Sequence, residues 1–302
     1  MTLAGLLVRI FLGMPHRLWS LTRRHPLGVL AILVLIALAI AAAFPGLVAT
    51  RDPLAQDIPH RLSAPSGDFL FGTDTFGRDT FSRVIHGARV SLYVGFASLA
   101  IALLGGTIIG VASGYIGGLL DLLLQRFVDT LLAFPSIVLA LVLVAAVGGS
   151  QHTVIAAIAI TLTPQIARLA RAQTLALPGS MHIKAARVMG AGAPRIMFRH
   201  ILPHTLGPLT VHATGLLEGA IVLEAALSFL GLSVPPPQPS WGRMLREGSG
   251  GYLESAPWLT LFPGLAITVA VFAIALIGDS LRDLLDPRLP PLASTNPSTH
   301  RR

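Results

Sequence analysis

The chain has no cysteine, a single lysine and few charges of either sign, with Asp, Glu, Lys and Arg making up only 12% of its 302 residues. Without cysteine there is no disulfide, no thiolate metal site and no thiol nucleophile. The one lysine, Lys184, stands between Ile183 and Ala185, so the Gly-Lys-Ser/Thr phosphate loop is absent and energy must come from a partner or an ion gradient. A charged fraction about half the globular average, beside 53% apolar residues, excludes a soluble catalytic domain. What remains is an integral membrane protein with no covalent chemistry of its own.

Six stretches approach the roughly 20 apolar residues that cross a bilayer as a helix: 27–49, 91–113, 130–147, 153–170, 209–232 and 259–278. The predicted fold is an all-α bundle of six transmembrane helices. Its parts are a cytoplasmic segment 1–26, the first span 27–49, an external loop 50–90, a core of five spans over 91–280 containing a cytoplasmic loop 171–204, and a cytoplasmic tail 281–302. Ala41 to Ala43 after Arg23 and Arg24 imitate a signal peptide, but the apolar run continues to Val48 and reads as a retained anchor. Pro135, Pro164 and Pro263 are predicted kinks. The Pro-, Ser- and Thr-rich tail from Leu289 to Arg302 is expected to be disordered.

The net charge of +8 read alone would suggest nucleic acid, yet its distribution argues for topology instead. With the amino terminus inside, about 15 Lys and Arg fall in cytoplasmic segments and about 7 outside, the asymmetry that orients membrane proteins. Both termini are then cytoplasmic, and no nucleic-acid partner is expected. The segment from Arg168 to Arg199 carries six basic residues and no acidic one. Inside it Ser180 is placed to cap a helix through Val188, Gly190 to supply a left-handed turn, and Pro194 to open a second short helix. Met181, Ala185, Val188 and Met189 offer soft apolar contacts beside Lys184 and Arg187. That surface suits a cleft on another protein, and an ordinary basic connection held inside by its charge fits equally well.

Other polar residues carry paired readings. In the first connection Asp79 is a helix cap, followed by Phe81, Val84, Ile85 and Ala88 on one face and Ser82, Arg83, His86 and Arg89 on the other, an amphipathic helix expected to lie in the headgroup layer of the membrane lipid and lead into the second span. Asp74, Arg78 and Asp79 are either an external contact or a self-paired turn. Glu218 and Glu224 lie about 120° apart on an ideal helix, so they form no paired acid site. Either one lines a passage for a cationic or zwitterionic solute, or it is a buried carboxylate bonded to a neighbouring helix. His200 and His204 have ligand spacing, but Pro203 intervenes and no metal site is predicted.

Several motifs in order resemble a known family. Lys184-Ala-Ala-Arg-Val-Met-Gly190 followed by Arg195-Ile-Met-Phe-Arg-His-Ile-Leu-Pro203 is similar to the coupling loop of ATP-binding-cassette importer permeases. Phe71-Gly-Thr-Asp74, Gly77-Arg-Asp79, Gly87-Ala-Arg-Val-Ser-Leu92, Gly114-Tyr-Ile-Gly-Gly118 with Asp121, Arg126 and Asp129, and Ala133-Phe-Pro135 resemble the dipeptide, oligopeptide and nickel permeases. So do Leu227-Ser-Phe-Leu-Gly231, Pro239-Ser-Trp-Gly242, Ala256-Pro-Trp258, Gly278-Asp279 and Asp286-Pro-Arg288.

The resemblance implies a type I importer bundle in a bacterial inner membrane, the second permease of a heteromeric pair. Its implied partners are a homologous permease, two cytoplasmic ATPase subunits that bind ATP and Mg, and an external solute-binding protein. This chain itself would bind no cofactor. Lys184, Ala185, Ala186, Arg187, Gly190, Ile196 and Pro203 fall in the coupling motif, where Lys184 stands in place of the usual glutamate. The solute would be a peptide, a nickel chelate, glutathione or a similar small compound. The rival classes are a secondary transporter with Glu218 or Glu224 as its ion site, and a membrane scaffold without a solute path.

Overall fold

The computed structural model describes residues 26–177 and 179–285. The predicted terminal segment before 26 and the tail beyond 285, including the Asp286-Pro-Arg288 motif, lie outside the described residues. Five helices among the described residues are long and apolar enough to cross a membrane, and a pair bent by 93° passes the same test only when its two helices are taken together. The elements in order are α1 (Pro26–Ala43), α2 (Pro45–Val48), α3 (Thr80–Ile116), α4 (Gly118–Leu132), α5 (Ser136–Val147), α6 (Gln151–Leu175), α7 (Met181–Val188), α8 (Ala193–Ile196), α9 (Leu202–Phe229), α10 (Trp241–Ser249) and α11 (Trp258–Leu285).

The α3–α6 pair is the spine. Gly106, Gly110 and Gly114 recur every fourth residue and so share one face of α3. A Cβ built on Gly106 would stand 2.7 Å from the Ile166 Cβ, on Gly110 it would overlap the Ala167 carbonyl oxygen, and on Gly114 it would meet the Thr174 Cβ at 2.9 Å. In lipid, where burial from water does not drive helix pairing, such close backbone approach is the main source of association. Around this seam Val94, Ala102, Ile158, Ile166, Leu217 and Ile221 form a closed core, while Leu33, Leu104, Ile108, Leu265 and Phe272 are exposed, as a bundle solvated by lipid requires.

Four sequence expectations are corrected or sharpened. The amphipathic segment after Asp79 is helical and leads into the second span as expected, the two forming one 37-residue helix. Half of its polar face is taken into the fold, with Ser82 fully buried and Arg83 1% exposed, while His86 is half-buried and Arg89 is exposed. The cap itself is as expected, with the Ser82 N–H donating to the Asp79 carboxylate at 2.9 Å. The third span 130–147 is not one helix. It bends by 93° between α4 and α5, where Phe134 and Pro135 precede Ser136 and proline disfavours a helical residue before it.

Pro164, a predicted kink, sits inside an unbroken α6. The second short helix of the basic loop is equally continuous with the next span. From α8 the chain passes through a π-helical stretch, Met197–Ile201, directly into α9. Pro203 explains the wider turn, since its ring clashes with the carbonyl four residues back in a regular α-helix and it donates no N–H.

Helix directions place two loop clusters at opposite ends of the bundle. At one end lie residues 50–79, 148–150 and 230–257. At the other lie 117 and the loop 176–192. Replacing Gly110 by Val should force the spine apart at the cost of overpacking, about 1–3 kcal/mol. The expected readout is a lower thermal midpoint for the detergent-solubilised chain, with Gly219→Val, at an exposed helical glycine with nothing within 4 Å of a built Cβ, as the control.

Candidate functional site

The basic loop is a rigid knob with two faces. Gly190 takes φ +80°, a conformation costly for any residue with a Cβ. Its N–H donates to the Arg187 carbonyl at 2.9 Å and the Ala191 N–H to the Ala186 carbonyl at 3.0 Å, the paired bonds of a Schellman turn. Pro194 occupies the first turn of α8. Ser180 precedes α7 but does not cap it through its side chain, which is buried and without a hydrogen-bond partner among the described residues.

Ile183, Ala186 and Ile196 are buried, and Ile183 and Ile196 belong to the bundle core together with Ile201. Met181, Val188 and Met189 are 80–89% exposed, a soft apolar surface with Lys184, Ala185 and Arg187 also outward. Among the coupling-motif residues, then, Ala186 and Ile196 anchor the knob and Lys184, Ala185 and Arg187 face out. Arg187 lies over the Tyr115 ring at 5.5 Å, fastening α7 to the end of α3. Pro203 is exposed and shapes the exit into α9.

Two of the six basic residues of this segment are already neutralised within the chain. Arg171 makes two 2.6 Å bonds to the Asp121 carboxylate, which also accepts from Ser113 Oγ, and Arg168 pairs with Asp129 at 2.6 Å. Asp121 and Asp129 are about 12 Å apart along α4, whereas Arg168 and Arg171 are about 4.5 Å apart along α6. Both pairs join α4 to α6, the Arg171–Asp121 pair half-buried and the Arg168–Asp129 pair more than half exposed. The motif positions Asp121 and Asp129 signalled a role, but not this partner.

The opposite end holds a buried ionic network. Arg78 Nε donates to Asp74 at 2.6 Å, Arg83 reaches Asp74 at 3.0 Å and Glu247 at 2.7 Å, and Asp79 is spent on its cap. Asp74, Arg78 and Asp79 are 5%, 8% and 2% exposed, so the geometry is that of the self-paired turn and leaves little of the three for an external contact. Glu247, which ties α10 to this turn from 164 residues away in the chain, had no sequence signal. Nearby the Trp241 indole N–H donates to the Val84 carbonyl at 2.9 Å and that of Trp258 to the Thr73 carbonyl at 3.1 Å. Phe71 stacks on Phe262 at 3.9 Å.

Glu218 and Glu224 have opposite environments, as their angular separation requires. Glu224 is fully buried, accepts from Ser228 Oγ at 2.7 Å and connects through Ser240 Oγ to the start of α10. Glu218 instead lines a cleft of about 690 Å³ between α9 and α11, together with Gly215, His212, Asp279 and Arg282. An adjoining cavity of about 550 Å³ shares Gly215 and Glu218 and reaches Gln165 and Ser136. His204 Nδ1 lies 2.8 Å from the His200 carbonyl oxygen, and among the described residues no group of three His, Asp or Glu side chains has metal-site geometry.

An all-helical bundle with an anchored loop at one end and an open, mostly apolar cleft between spans that carries a few charged side chains suits the membrane part of a transporter. Residues 106–290 match the family model described as the inner membrane component of binding-protein-dependent transport systems, and the chain belongs to that family. It is 41% identical over 267 residues, 88% of each chain, to the dipeptide transport system permease protein DppC of Alkalihalophilus pseudofirmus. It is likewise 41% identical over 275 residues, 91% of this chain and 90% of the relative, to the glutathione transport system permease protein GsiD of Escherichia coli.

The fold is that of the inward-facing MetNI methionine ABC transporter, with TM-score 0.56 at 19% identity over 68% of this chain and 96% of the other. The chain is thus a multi-pass permease subunit of an ATP-binding-cassette importer, which sets aside the ion-gradient transporter and the scaffold.

Removing Arg83 leaves Arg78 to serve both Asp74 at 2.6 Å and Glu247 at 3.4 Å, so Arg83→Ala should destabilise by about 2 kcal/mol, below the cost of leaving a buried charge with no partner. A double-mutant cycle with Glu247→Ala, read by thermal unfolding, should show coupling above about 0.5 kcal/mol; additive losses would contradict the network.

Proposed function

We propose that this permease moves a peptide or a similar small solute inward, driven by two separate cytoplasmic ATPase subunits and fed by an external solute-binding protein, with a second homologous permease completing the passage. The observation that carries the reading is the division of the basic loop into an anchored face, Ile183, Ala186 and Ile196, and an exposed one, Met181, Val188 and Met189. A docking element needs both. The outer face enters a groove of the ATPase, and the inner face passes that movement to the ends of α3 and α9. The names of the relatives, dipeptide, di/tripeptide and glutathione permeases, support the solute class.

The same orientation puts the knob in the cytoplasm, both termini inside, and residues 50–79 and 230–257 toward the binding protein. The solute passes along the open stripe of α9, where Pro208, Val211, Gly215, Glu218 and Val222 are not buried. Glu218 lines that path and Glu224 serves packing. Exposed Lys184 meets a carboxylate or a polar group on the ATPase, where a glutamate in its place would meet a cation.

Gly190→Pro demands φ near −65° where the chain has +80° and deletes the N–H bonded to Arg187. With the reconstituted complex in proteoliposomes, ATP-driven uptake of labelled dialanine should fall at least tenfold while the chain still inserts and ATP is still hydrolysed. Uptake at the unaltered rate would remove the docking role from this loop. Uptake that needs an ion gradient and no ATP would remove the mechanism as a whole.

A further inference from the structure

Two carboxylates in the α9–α11 cleft are left without partners. Glu218 and Asp279 line the same cavity of about 690 Å³, and neither has a hydrogen bond or ion pair among the described residues. Arg282 lines it too, one turn after Asp279, yet forms no ion pair with it, and His212 is the other titratable lining group. In the adjoining pocket Arg168 is committed to Asp129. A carboxylate within a span costs about 2.5–3.5 kcal/mol on insertion scales, and two of like sign in one cleft repel each other. Glu224 on the same helix shows what a purely structural carboxylate looks like here, being enclosed and bonded to Ser228.

The cleft also has room. Gly207 and Gly215 line it with nothing within 4 Å of a built Cβ, and its volume lies in the range that takes a small molecule, about 300–1,000 Å³. Acceptors and donors share one lining.

The geometry points to an amine-recognising subsite in which Glu218 and Asp279 hold the protonated amino group of a passing zwitterion while Arg282 and His212 face its carboxylate. This rests on the reading that α9 lines the solute path. Glu218 and Asp279 supply only acceptors for an ammonium, which offers three donors. An acylated amine carries neither the charge nor those donors, so it is not retained there.

Because the chain has no cysteine, Gly215→Cys places a single thiol in the cleft. In membrane vesicles carrying the full-length chain, dialanine should slow labelling of that thiol by a neutral maleimide at least threefold, and N-acetyl-dialanine should leave the rate unchanged. The difference should shrink with the near-isosteric Glu218→Gln and vanish with Glu218→Gln combined with Asp279→Asn, whose labelling without peptide reports that the cleft is still open. Equal protection by both peptides, protection by neither, or a difference that survives neutralisation overturns the subsite. Dialanine uptake by the complete transporter is scored separately. Import without the labelling difference sinks the subsite alone, and the difference without ATP-driven import sinks the import reading alone.

Discussion

The close approach of α3 and α6 along Gly106, Gly110 and Gly114 is the constraint on which the rest of the structure depends. Interleaved side chains of ordinary size would hold these two helices roughly 8–10 Å apart; without side chains the backbones meet, and Ile166, Ala167 and Thr174 fill the space directly. That contact fixes where both helices end. It brings Arg171 beside Asp121, sets Tyr115 under Arg187 and gives the basic loop a firm base. At the far end the same long helix delivers Arg83 to Glu247 and Val84 to Trp241. One seam therefore aligns two polar clusters at opposite faces of the membrane domain.

Both clusters obey the same rule. Charged groups kept from water are matched, either by a carboxylate facing a guanidinium or by a hydroxyl facing a carboxylate, because an unmatched buried charge is far costlier than the pair. The Arg78, Arg83, Asp74 and Glu247 network makes the turn before α3 and the helix α10 a single rigid cap on the bundle. At the other side the half-buried Asp121–Arg171 pair ties α4 to α6, with the exposed Asp129–Arg168 pair beside it. Against that background the cleft between α9 and α11 stands apart, since its charged groups face an open space and not each other.

Much of this was legible in the sequence, and the remainder was not for identifiable reasons. Apolar run length located five spans and half of a bent pair, and capping chemistry located Asp79 and the turn at Gly190, because these depend on neighbours within four residues. The 93° bend at Pro135 was legible only as a kink, since its size is set by α6. The amphipathic pattern after Asp79 located the helix but not the burial of Arg83, because one of the two carboxylates paired with it, Glu247, lies 164 residues away in the chain. The separate helix from Pro194 failed because nothing between Ala193 and Pro203 breaks the backbone, and a wider turn absorbs the proline. Glu218 and Glu224 look alike in sequence and differ only in what the neighbouring helices place beside them. The two ion pairs on α4 were hidden in the same way, behind a basic segment that read as uniformly positive.

The uninterrupted run of helix from Ala193 to Phe229 has a mechanical consequence. At 1.5 Å per residue it is about 55 Å long, with one end in the knob and the other beneath α10. If it tilts as a rod about its packed middle by about 10°, its two tips swing by about 5 Å in opposite senses. A seesaw of that kind cannot widen one mouth without narrowing the other, so simultaneous leakage through both is discouraged by the stiffness of a single backbone.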